Sequence, residues 1–284
     1  MGMKTAIVTG SSSGFGLLCA LELAKEGFHV VATMRDPNKS DALMKLAKER
    51  QLEKHIEIQA LDVASSLSIQ QFKQYIQSFG KIEVLVNNAG YALGGFCEEL
   101  QLDDYRQQFE TNVFGVIGVT QAVLPFMRQN QHGRIINISS ISGLVGFPGL
   151  SPYTASKHAL EGFSESLRLE LKPFGIDVVL VEPGSYKTNI WSSMDTIKVE
   201  QDSPYYEYMT VLMKEVDSGK ASHGNPEDVA KLVAKIAAQQ QSPDLRYPIG
   251  KGVKNSLLFK KILPWNRLEK VILKKLGVRH SSLH

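Results

Sequence analysis

The chain has 284 residues, of which 43% are hydrophobic and 21% charged, and its formal net charge is +3. These values are ordinary for a globular protein that buries a sizeable core without disulfides, and no apolar run approaches the roughly 20 residues that a membrane-spanning helix needs. Two cysteines, Cys19 and Cys97, are too few for a disulfide framework, and the first residues enter a strand pattern without room for a signal peptide, so we expect a cytoplasmic protein.

Apolar runs and amphipathic segments alternate along the chain. The first strand, at 4–9, leads through a glycine-rich turn into a helix that runs to Glu26, with Gly27 as its C-cap. Because the strands are short and almost wholly apolar, they predict a parallel sheet buried on both faces. The further predicted strands lie at 29–33, 56–61, 82–86, 133–139, 176–181 and 246–249, and the further helices at 41–51, 67–79, 103–128, 152–171 and 226–239.

This alternation predicts an α/β fold, a doubly wound parallel sheet with helices on both faces, in a single domain over 1–284. A segment at about 185–225 is rich in large side chains and interrupts the alternation, and a basic extension occupies about 253–284. No internal repeat or low-complexity linker divides the chain, so one domain is the better interpretation.

Three glycines, Gly10, Gly14 and Gly16, lie between the first strand and its helix. The backbone amides of such a turn and the amino terminus of the helix together attract a pyrophosphate group. The spacing is Gly-x-x-x-Gly-x-Gly rather than the Gly-x-Gly-x-x-Gly of other dinucleotide-binding folds. Read alone, it also fits a tight turn that merely packs a helix against a strand.

A second group of residues suggests proton transfer. Ser151 as a hydroxyl cap and Pro152 at the first helical position predict a helix start, which places Tyr153 and Lys157 on one face of that helix. The pKa of a free tyrosine hydroxyl is about 10, and a nearby ammonium lowers it. Ser140, at the end of the preceding strand, adds a hydroxyl. Alone, the Tyr-Lys pair also fits a surface tyrosine and a solvated lysine.

The glycine-rich turn, Asn87, Asn112, Ser140 and Pro183-Gly184 all fall at or near one predicted edge of the sheet, where ligands of such folds bind. Taken together, 9–16, 87–90, Asn112, Ser140, Tyr153 with Lys157, and Pro183-Gly184 with Thr188 resemble the short-chain dehydrogenase/reductase family, in its order and spacing. The resemblance covers about 3–250. It implies a Rossmann-type fold and an enzyme that interconverts alcohols and carbonyl compounds with a nicotinamide cofactor. It implies no metal.

The resemblance also implies roles for individual residues. Tyr153 would be the general acid or base, Lys157 would lower its pKa and hold the nicotinamide ribose, and Ser140 would hydrogen-bond the substrate oxygen. Asn112 would hold a water in a proton relay. The residues implied in cofactor contacts are Gly10, Ser12, Ser13, Gly14, Phe15, Gly16, Arg35, Asp62, Val63, Asn88, Ala89, Gly90, Tyr153, Lys157, Pro183, Gly184 and Thr188.

The choice of cofactor depends on the end of the second strand. Met34 stands where the family's NAD-selecting aspartate is expected, and Arg35 follows it. Because a guanidinium suits a phosphate, the sequence predicts NADP(H) rather than NAD(H). Asp36 could neutralise Arg35, and Ser13 stands where many NADP enzymes have a second basic residue. Arg35 as a solvated turn residue is the remaining alternative.

The substrate is expected to be bulky and apolar. The 185–225 segment resembles the hydroxysteroid and retinol dehydrogenase branch of the family, which implies a steroid-, retinoid- or lipid-like compound. Each large side chain proposed for the pocket could instead belong to the core. The candidate substrate residues are Leu93, Leu144, Phe147, Tyr186 and Trp191.

The sequence also suggests binding partners and two alternative functions. Residues 253–279 carry a net charge of +7, so the basic tail either packs its apolar stripe on a protein surface, which we favour, or lies weakly on an anionic membrane. Nothing in the main body suggests nucleic acid, and the family resemblance implies a homo-oligomer. The alternatives to a carbonyl reductase are a 3-oxoacyl-thioester reductase and a non-catalytic NADP-binding sensor or scaffold.

Overall fold

One parallel sheet forms the centre of the protein. The computed structural model describes residues 3–188, 190, 201–219 and 223–275. Within them the sheet has the strand order β3-β2-β1-β4-β5-β6-β7, and every neighbouring pair is parallel. The predicted doubly wound α/β fold is therefore confirmed. The strands are β1 (Thr5–Val8), β2 (His29–Met34), β3 (Ile56–Ala60), β4 (Val84–Asn87), β5 (Gly133–Ile138), β6 (Ile176–Pro183) and β7 (Arg246–Ile249).

Helices cover both faces of this sheet. Those of the first half are α1 (Gly14–Lys25), α2 (Asp41–Glu49), α3 (Ser66–Tyr75), α4 (Leu102–Phe109) and α5 (Gly115–Gln129). The second half adds α6 (Ser151–Leu171), α7 (Tyr206–Gly219), α8 (Pro226–Ala238), α9 (Val253–Ile262) and α10 (Trp265–Lys275). No helix among the described residues is long and apolar enough to cross a bilayer.

Two cores lie on opposite faces because successive strand residues point in opposite directions. Ala6 and Val8 of β1 belong to a cluster that α1 and α8 cover. Ile7, between them, belongs to a second cluster that includes Phe72 of α3 and Val119 of α5. This double coverage explains why the central strands are mostly apolar rather than alternating regularly with polar residues.

Two local expectations differ from the structure. The predicted helix at 103–128 is interrupted by a π-helical turn, Glu110–Phe114, which separates α4 from α5 and contains Asn112. The prediction that Ser151 caps α6 is wrong: Leu150 is the N-cap residue and Ser151 is already helical. The Ser151 hydroxyl instead lies 2.7 Å from the Tyr105 hydroxyl, a tertiary contact with α4. Gly27 does follow the end of α1 with a φ of +85°.

Candidate active site

A cavity of about 520 Å³ lies beyond the carboxyl ends of the central strands. It is bounded by the loop after β1, by the ends of β2 and β4, by Ser140 after β5 and by the start of α6. Parallel strands bring their carboxyl ends to one edge, which is why segments distant in sequence meet here. All the residues predicted to contact the cofactor line this cavity except Gly16, which lies beneath the turn.

The glycine-rich turn leaves no room for side chains at two positions. Gly10 has a φ of +69°, and a Cβ on it would lie 2.8 Å from the Ala89 Cα. A Cβ on Gly16 would lie 2.2 Å from the Gly10 carbonyl oxygen and 2.4 Å from Nδ2 of Asn88. The turn therefore packs directly against the loop after β4. Its backbone and the amino terminus of α1 border the cavity, an arrangement that fits a dinucleotide pyrophosphate.

Thr9 and Asn88 join the two loops that frame the cavity. Oγ1 of Thr9 accepts hydrogen bonds from the backbone N–H groups of Asn88 (2.9 Å) and Ala89 (3.0 Å). Nδ2 of Asn88 donates to the carbonyl oxygens of Thr9 (2.8 Å) and Gly10 (3.1 Å). Thr9 is the first residue of the glycine-rich motif at 9–16. The sequence did not predict that its hydroxyl joins the ends of β1 and β4, because a threonine in a sequence does not reveal its tertiary hydrogen-bond partner.

Ser140, Tyr153 and Lys157 converge on one side of the cavity. Ser140 begins a short 3₁₀ turn, with its Oγ accepting from the Ser142 backbone N–H at 3.1 Å. Tyr153 is 2% exposed, and the Lys157 Nζ lies 5.7 Å from the centre of its ring. Lys157 is 6% exposed and donates to the Ile138 carbonyl oxygen at 2.8 Å. A phenol, an ammonium and a hydroxyl are thus buried together at one edge of the cavity.

Burial sets the protonation of this group. It raises the pKa of Tyr153 to about 12, although the hydrogen bond with Ser140 acts in the opposite direction. Burial disfavours the phenolate because it removes the charge from water. The expectation that Lys157 lowers the pKa of Tyr153 stays a prediction. Burial lowers the pKa of Lys157 to about 8, and the negative charge of Glu161 opposes this change.

Asn112 lies behind the cavity rather than on its wall. Its Oδ1 accepts from the Tyr91 backbone N–H at 3.2 Å, and its Nδ2 donates to the Tyr91 carbonyl oxygen at 3.0 Å and to Ser156 Oγ at 3.2 Å. The π turn gives the side chain its position, and such turns are frequent at functional sites. Asn112 therefore fixes the loop after β4 against α6, and its relay role stays a prediction.

The protein-family model described as short chain dehydrogenase matches residues 4–198, which is more than half of the chain. The protein belongs to the short-chain dehydrogenase family. It is an oxidoreductase, and the resemblance read from its motifs is confirmed.

Three known proteins illustrate the relationship. A protein of Bacillus subtilis (strain 168) named Uncharacterized oxidoreductase YusZ is 51% identical, over 97% of this chain and 99% of its own. Human retinol dehydrogenase 8 is 44% identical, over 84% of this chain and 79% of its own. A solved structure titled ElxO with NADP Bound matches with a TM-score of 0.74 and 29% identity, over 89% of this chain and 100% of its own. A nicotinamide dinucleotide is accordingly the cofactor of this short-chain dehydrogenase.

At the end of the cavity next to β2 and β3, Met34, Arg35, Asp62 and Val63 form the wall. Arg35 is exposed on the rim. Asp36 is turned away, because its Oδ1 caps the following 3₁₀ turn by accepting from the Asn38 backbone N–H at 3.1 Å. Among the described residues no ion pair joins Arg35 to Asp36, so the guanidinium is not neutralised there. At the other end, Thr188 faces Gly14, since a Cβ on that glycine would lie 3.7 Å from the threonine Cβ.

The candidate substrate residues are scattered. Tyr186 lines the cavity on the side of the glycine-rich turn, where it is 4% exposed and packs edge-on against Phe15 at 5.5 Å. Phe147 lines a second cavity of about 560 Å³ beneath α10. Leu93 and Leu144 are half-buried outside the first cavity, and Trp191 lies outside the described residues. The structure does not bring the four described residues together into one pocket.

Several residues at the site had not been singled out in the sequence. Gln108 holds the loop after β4, with its Oε1 accepting from the Leu93 backbone N–H at 2.8 Å and its Nε2 donating to the Tyr91 carbonyl oxygen at 2.9 Å. Glu161 is buried four residues after Lys157 on the same helix. That spacing is a signal that could have been used, because i,i+4 pairs of opposite charge interact on helices.

Proposed function

We propose that this short-chain dehydrogenase uses NADP(H) to interconvert a ketone or aldehyde and an alcohol on a bulky apolar substrate of steroid-, retinoid- or lipid-like character. The observation that carries the proposal is the convergence of Ser140, Tyr153 and Lys157 at the edge of the cavity that the glycine-rich turn closes. A phenol and a hydroxyl side by side in a buried site suit proton transfer to and from one oxygen atom.

Each of these side chains has a defined task. The cofactor, when bound, supplies or accepts the hydride. Because its pKa is raised to about 12, the Tyr153 hydroxyl is protonated at neutral pH and serves as the acid that protonates the carbonyl oxygen during reduction. Ser140 holds the same oxygen by a hydrogen bond. The ammonium of Lys157 stabilises the phenolate that Tyr153 leaves behind, and in oxidation the same groups work in reverse.

The preference for NADP(H) rests on Arg35. Its guanidinium lies on the rim of the cavity beside Met34. The carboxylate of Asp36 caps the following 3₁₀ turn by accepting a hydrogen bond from the Asn38 backbone N–H. An apolar side chain at the end of β2 offers no acceptor for a ribose 2′-hydroxyl, whereas the guanidinium favours a 2′-phosphate. The NADP present in the ElxO structure supports this preference.

The apolar substrate class is supported by the residues around the site and by the relatives. The relative human retinol dehydrogenase 8 is named after retinol, an apolar alcohol. Phe147, Tyr208 and Trp265 line the second cavity, next to the loop that follows Ser140. Cavities with such linings bind apolar compounds.

Two contacts with partners belong to the proposal. We propose a cytoplasmic homo-oligomer joined through α5 and α6. Phe114, directly before α5, is 55% exposed, and Leu169 of α6 is 78% exposed. Light scattering that finds a monomer would contradict it.

The second contact concerns the basic extension. Its described part, 253–275, buries Val253 and Leu268, which are 2% and 9% exposed. On its outer surface Phe259 and Trp265 are 58% and 59% exposed beside several lysines. We propose that this surface also makes weak contact with anionic membranes, since aromatic and basic side chains together favour such interfaces. Absence of binding to anionic vesicles at low salt would refute this contact.

The substitution Tyr153→Phe tests the catalytic proposal. It removes the acidic proton and keeps the ring, so we expect NADPH binding to persist while turnover falls about 10²- to 10⁴-fold. Turnover is measured as NADPH oxidation with a panel of apolar ketones, aldehydes and retinoids. Tyr105→Phe is the matched control, because this tyrosine lies on α4 outside the cavity. Undiminished turnover in Tyr153→Phe would overturn the assignment.

A further inference from the structure

A cluster of charged side chains lies directly behind Lys157. Arg246 of β7 donates to three carboxylates: to Glu182 Oε1 of β6 at 2.7 Å, to Glu165 Oε1 of α6 at 2.6 Å, and to Glu161 Oε2 of α6. Glu161 and Glu182 are 4% and 0% exposed. Buried charges are costly unless they are paired, so a cluster this close to the reacting groups calls for a physical explanation.

The end of β5 is connected to α6 at three successive residues. Ile138 accepts a hydrogen bond from Lys157, Ser139 donates one to Glu161 Oε1, and Ser140 hydrogen-bonds Tyr153. On α6 the three partners are spaced by four residues and therefore lie on one face of the helix. Glu161 is thus the third member of the row that begins with Tyr153 and Lys157.

The turn that begins at Ser140 packs closely against Glu161. A Cβ on Gly143 would lie 2.8 Å from Ser139 Oγ, 2.9 Å from Glu161 Cγ and 3.0 Å from Glu161 Oε1. Both carboxylate oxygens of Glu161 are engaged, one by Ser139 and the other by Arg246. The negative charge is therefore held at a fixed place four residues from Lys157.

We propose that Glu161 is a positioning residue for the proton-transfer group: fixed by Ser139 and Arg246, its carboxylate keeps the buried Lys157 protonated at neutral pH. Lys157 is itself removed from water, which favours its neutral form. Its backbone partner, the Ile138 carbonyl oxygen, carries no full charge. Glu161 supplies the missing counter-charge, and Arg246 is paired with the same carboxylate. The proposal rests on the function assigned to Lys157 above.

The pKa values support this geometry. The pKa of Lys157 is about 8, with burial lowering it and Glu161 raising it. Burial also raises the pKa of Glu182, to about 7, and the charge of Glu161 contributes to that increase. The charged and titratable groups of the cluster are therefore Tyr153, Lys157, Glu161 and Glu165 from α6, Glu182 from β6 and Arg246 from β7.

The decisive measurement is an NMR titration of the Lys157 ε-carbon in protein labelled with ¹³C-lysine, with the signal assigned by its loss in Lys157→Met. In the native protein we expect a midpoint at about pH 8. In Glu161→Gln, which is isosteric but neutral, we expect the midpoint to fall by about one pH unit, because an opposite charge favours the charged form. An unchanged midpoint would overturn the proposal.

Glu165→Gln is the matched control. It removes another carboxylate from Arg246, but that side chain is 56% exposed and does not reach Ser139. We expect it to leave the Lys157 midpoint unchanged, and an equal shift in both variants would refute a specific role of Glu161. If Glu161→Gln does not fold, Glu161→Asp carries the test with a shift of the same sign and smaller size, and the absence of any shift there refutes the proposal.

A second readout separates this inference from the function on which it rests. In the reductive direction, activity requires protonated Lys157, so the basic limb of the pH profile of kcat should move down together with the NMR midpoint in Glu161→Gln. If the midpoint moves and no carbonyl compound is reduced, the proposed function fails while the electrostatic role of Glu161 stands. If reduction occurs and the midpoint does not move, the role of Glu161 fails alone.

Discussion

Gly16 offers the sharpest structural prediction, since its role can be tested with a single methyl group. In Gly16→Ala the new Cβ would lie 2.2 Å from the Gly10 carbonyl oxygen and 2.4 Å from Asn88 Nδ2. The first neighbour is backbone and cannot turn away, so the turn must move. Such overpacking costs about 2 kcal/mol, and losing one Asn88 hydrogen bond to the turn adds about 1 kcal/mol.

The same methyl group improves helix propensity, because Gly16 belongs to α1. Replacing glycine by alanine inside a helix contributes about 1 kcal/mol of stability. The balance is a net loss of about 2 kcal/mol, or roughly 4–8 °C in Tm. We also expect the affinity for NADPH to fall at least about tenfold, since the displaced turn borders the cofactor cavity.

Gly162→Ala is the matched control for this experiment. Gly162 lies exposed within α6, and a Cβ there has no neighbour within 4 Å. Only the helix propensity changes, so we expect a gain of up to about 1 kcal/mol and unaltered NADPH binding. Thermal melts and a fluorescence titration of NADPH measure both quantities. A Gly16→Ala protein with native Tm and native affinity would refute the close packing derived for the turn.

Three further predictions concern other parts of the molecule. Arg35→Ala should reduce the preference for NADPH over NADH by about tenfold or more, because charge-assisted hydrogen bonds to the 2′-phosphate are lost. Asp36→Asn should leave this preference unchanged. The preference is measured as the ratio of the dissociation constants of NADH and NADPH, and the same ratio in both variants would contradict the phosphate site. Because the pKa of Glu182 is raised from 4.5 to about 7, its contribution to the free energy of unfolding declines as pH rises through about 7, and Glu182→Gln should abolish this slope in urea titrations. Arg134→Met should cost about 3–5 kcal/mol by denaturant unfolding, since Arg134 is 5% exposed and pairs with Asp177 at 3.3 Å; a cost below about 1 kcal/mol would show that the buried pair contributes little.

Local sequence patterns determined the elements and most of the cavity wall. Strands such as β4 are mostly apolar because they are buried on both faces, so the sequence alone shows where they lie. The positions of Gly10, Ser140 and Tyr153 at the ends or beginnings of elements follow from the same alternation. Since parallel strands bring their carboxyl ends together, these residues could be assigned to one cavity from the sequence.

Other features depend on contacts between distant segments, and no local pattern predicts them. Ser151 has the residue type of a cap but meets Tyr105 of α4, so its hydroxyl serves a tertiary contact instead. The π turn that contains Asn112 lies between α4 and α5, next to the loop after β4. Because a π turn adds one residue to a helical turn, the periodicity of the sequence does not predict it. The placement of Phe147 beneath α10 likewise required the path of the chain beyond β7.

The electrostatics of the site were decided by tertiary structure alone. Spacing indicated that Lys157 lies near Tyr153, but it gave no sign that burial of the phenol raises its pKa to about 12. Spacing reports which charges are near each other, whereas desolvation depends on everything packed around them. Arg246 joins Glu161 across 85 residues of sequence, a pairing that exists only because β7 lies beside β6 at the edge of the sheet. The sequence thus determined which groups can react, and the packed fold determined their charge.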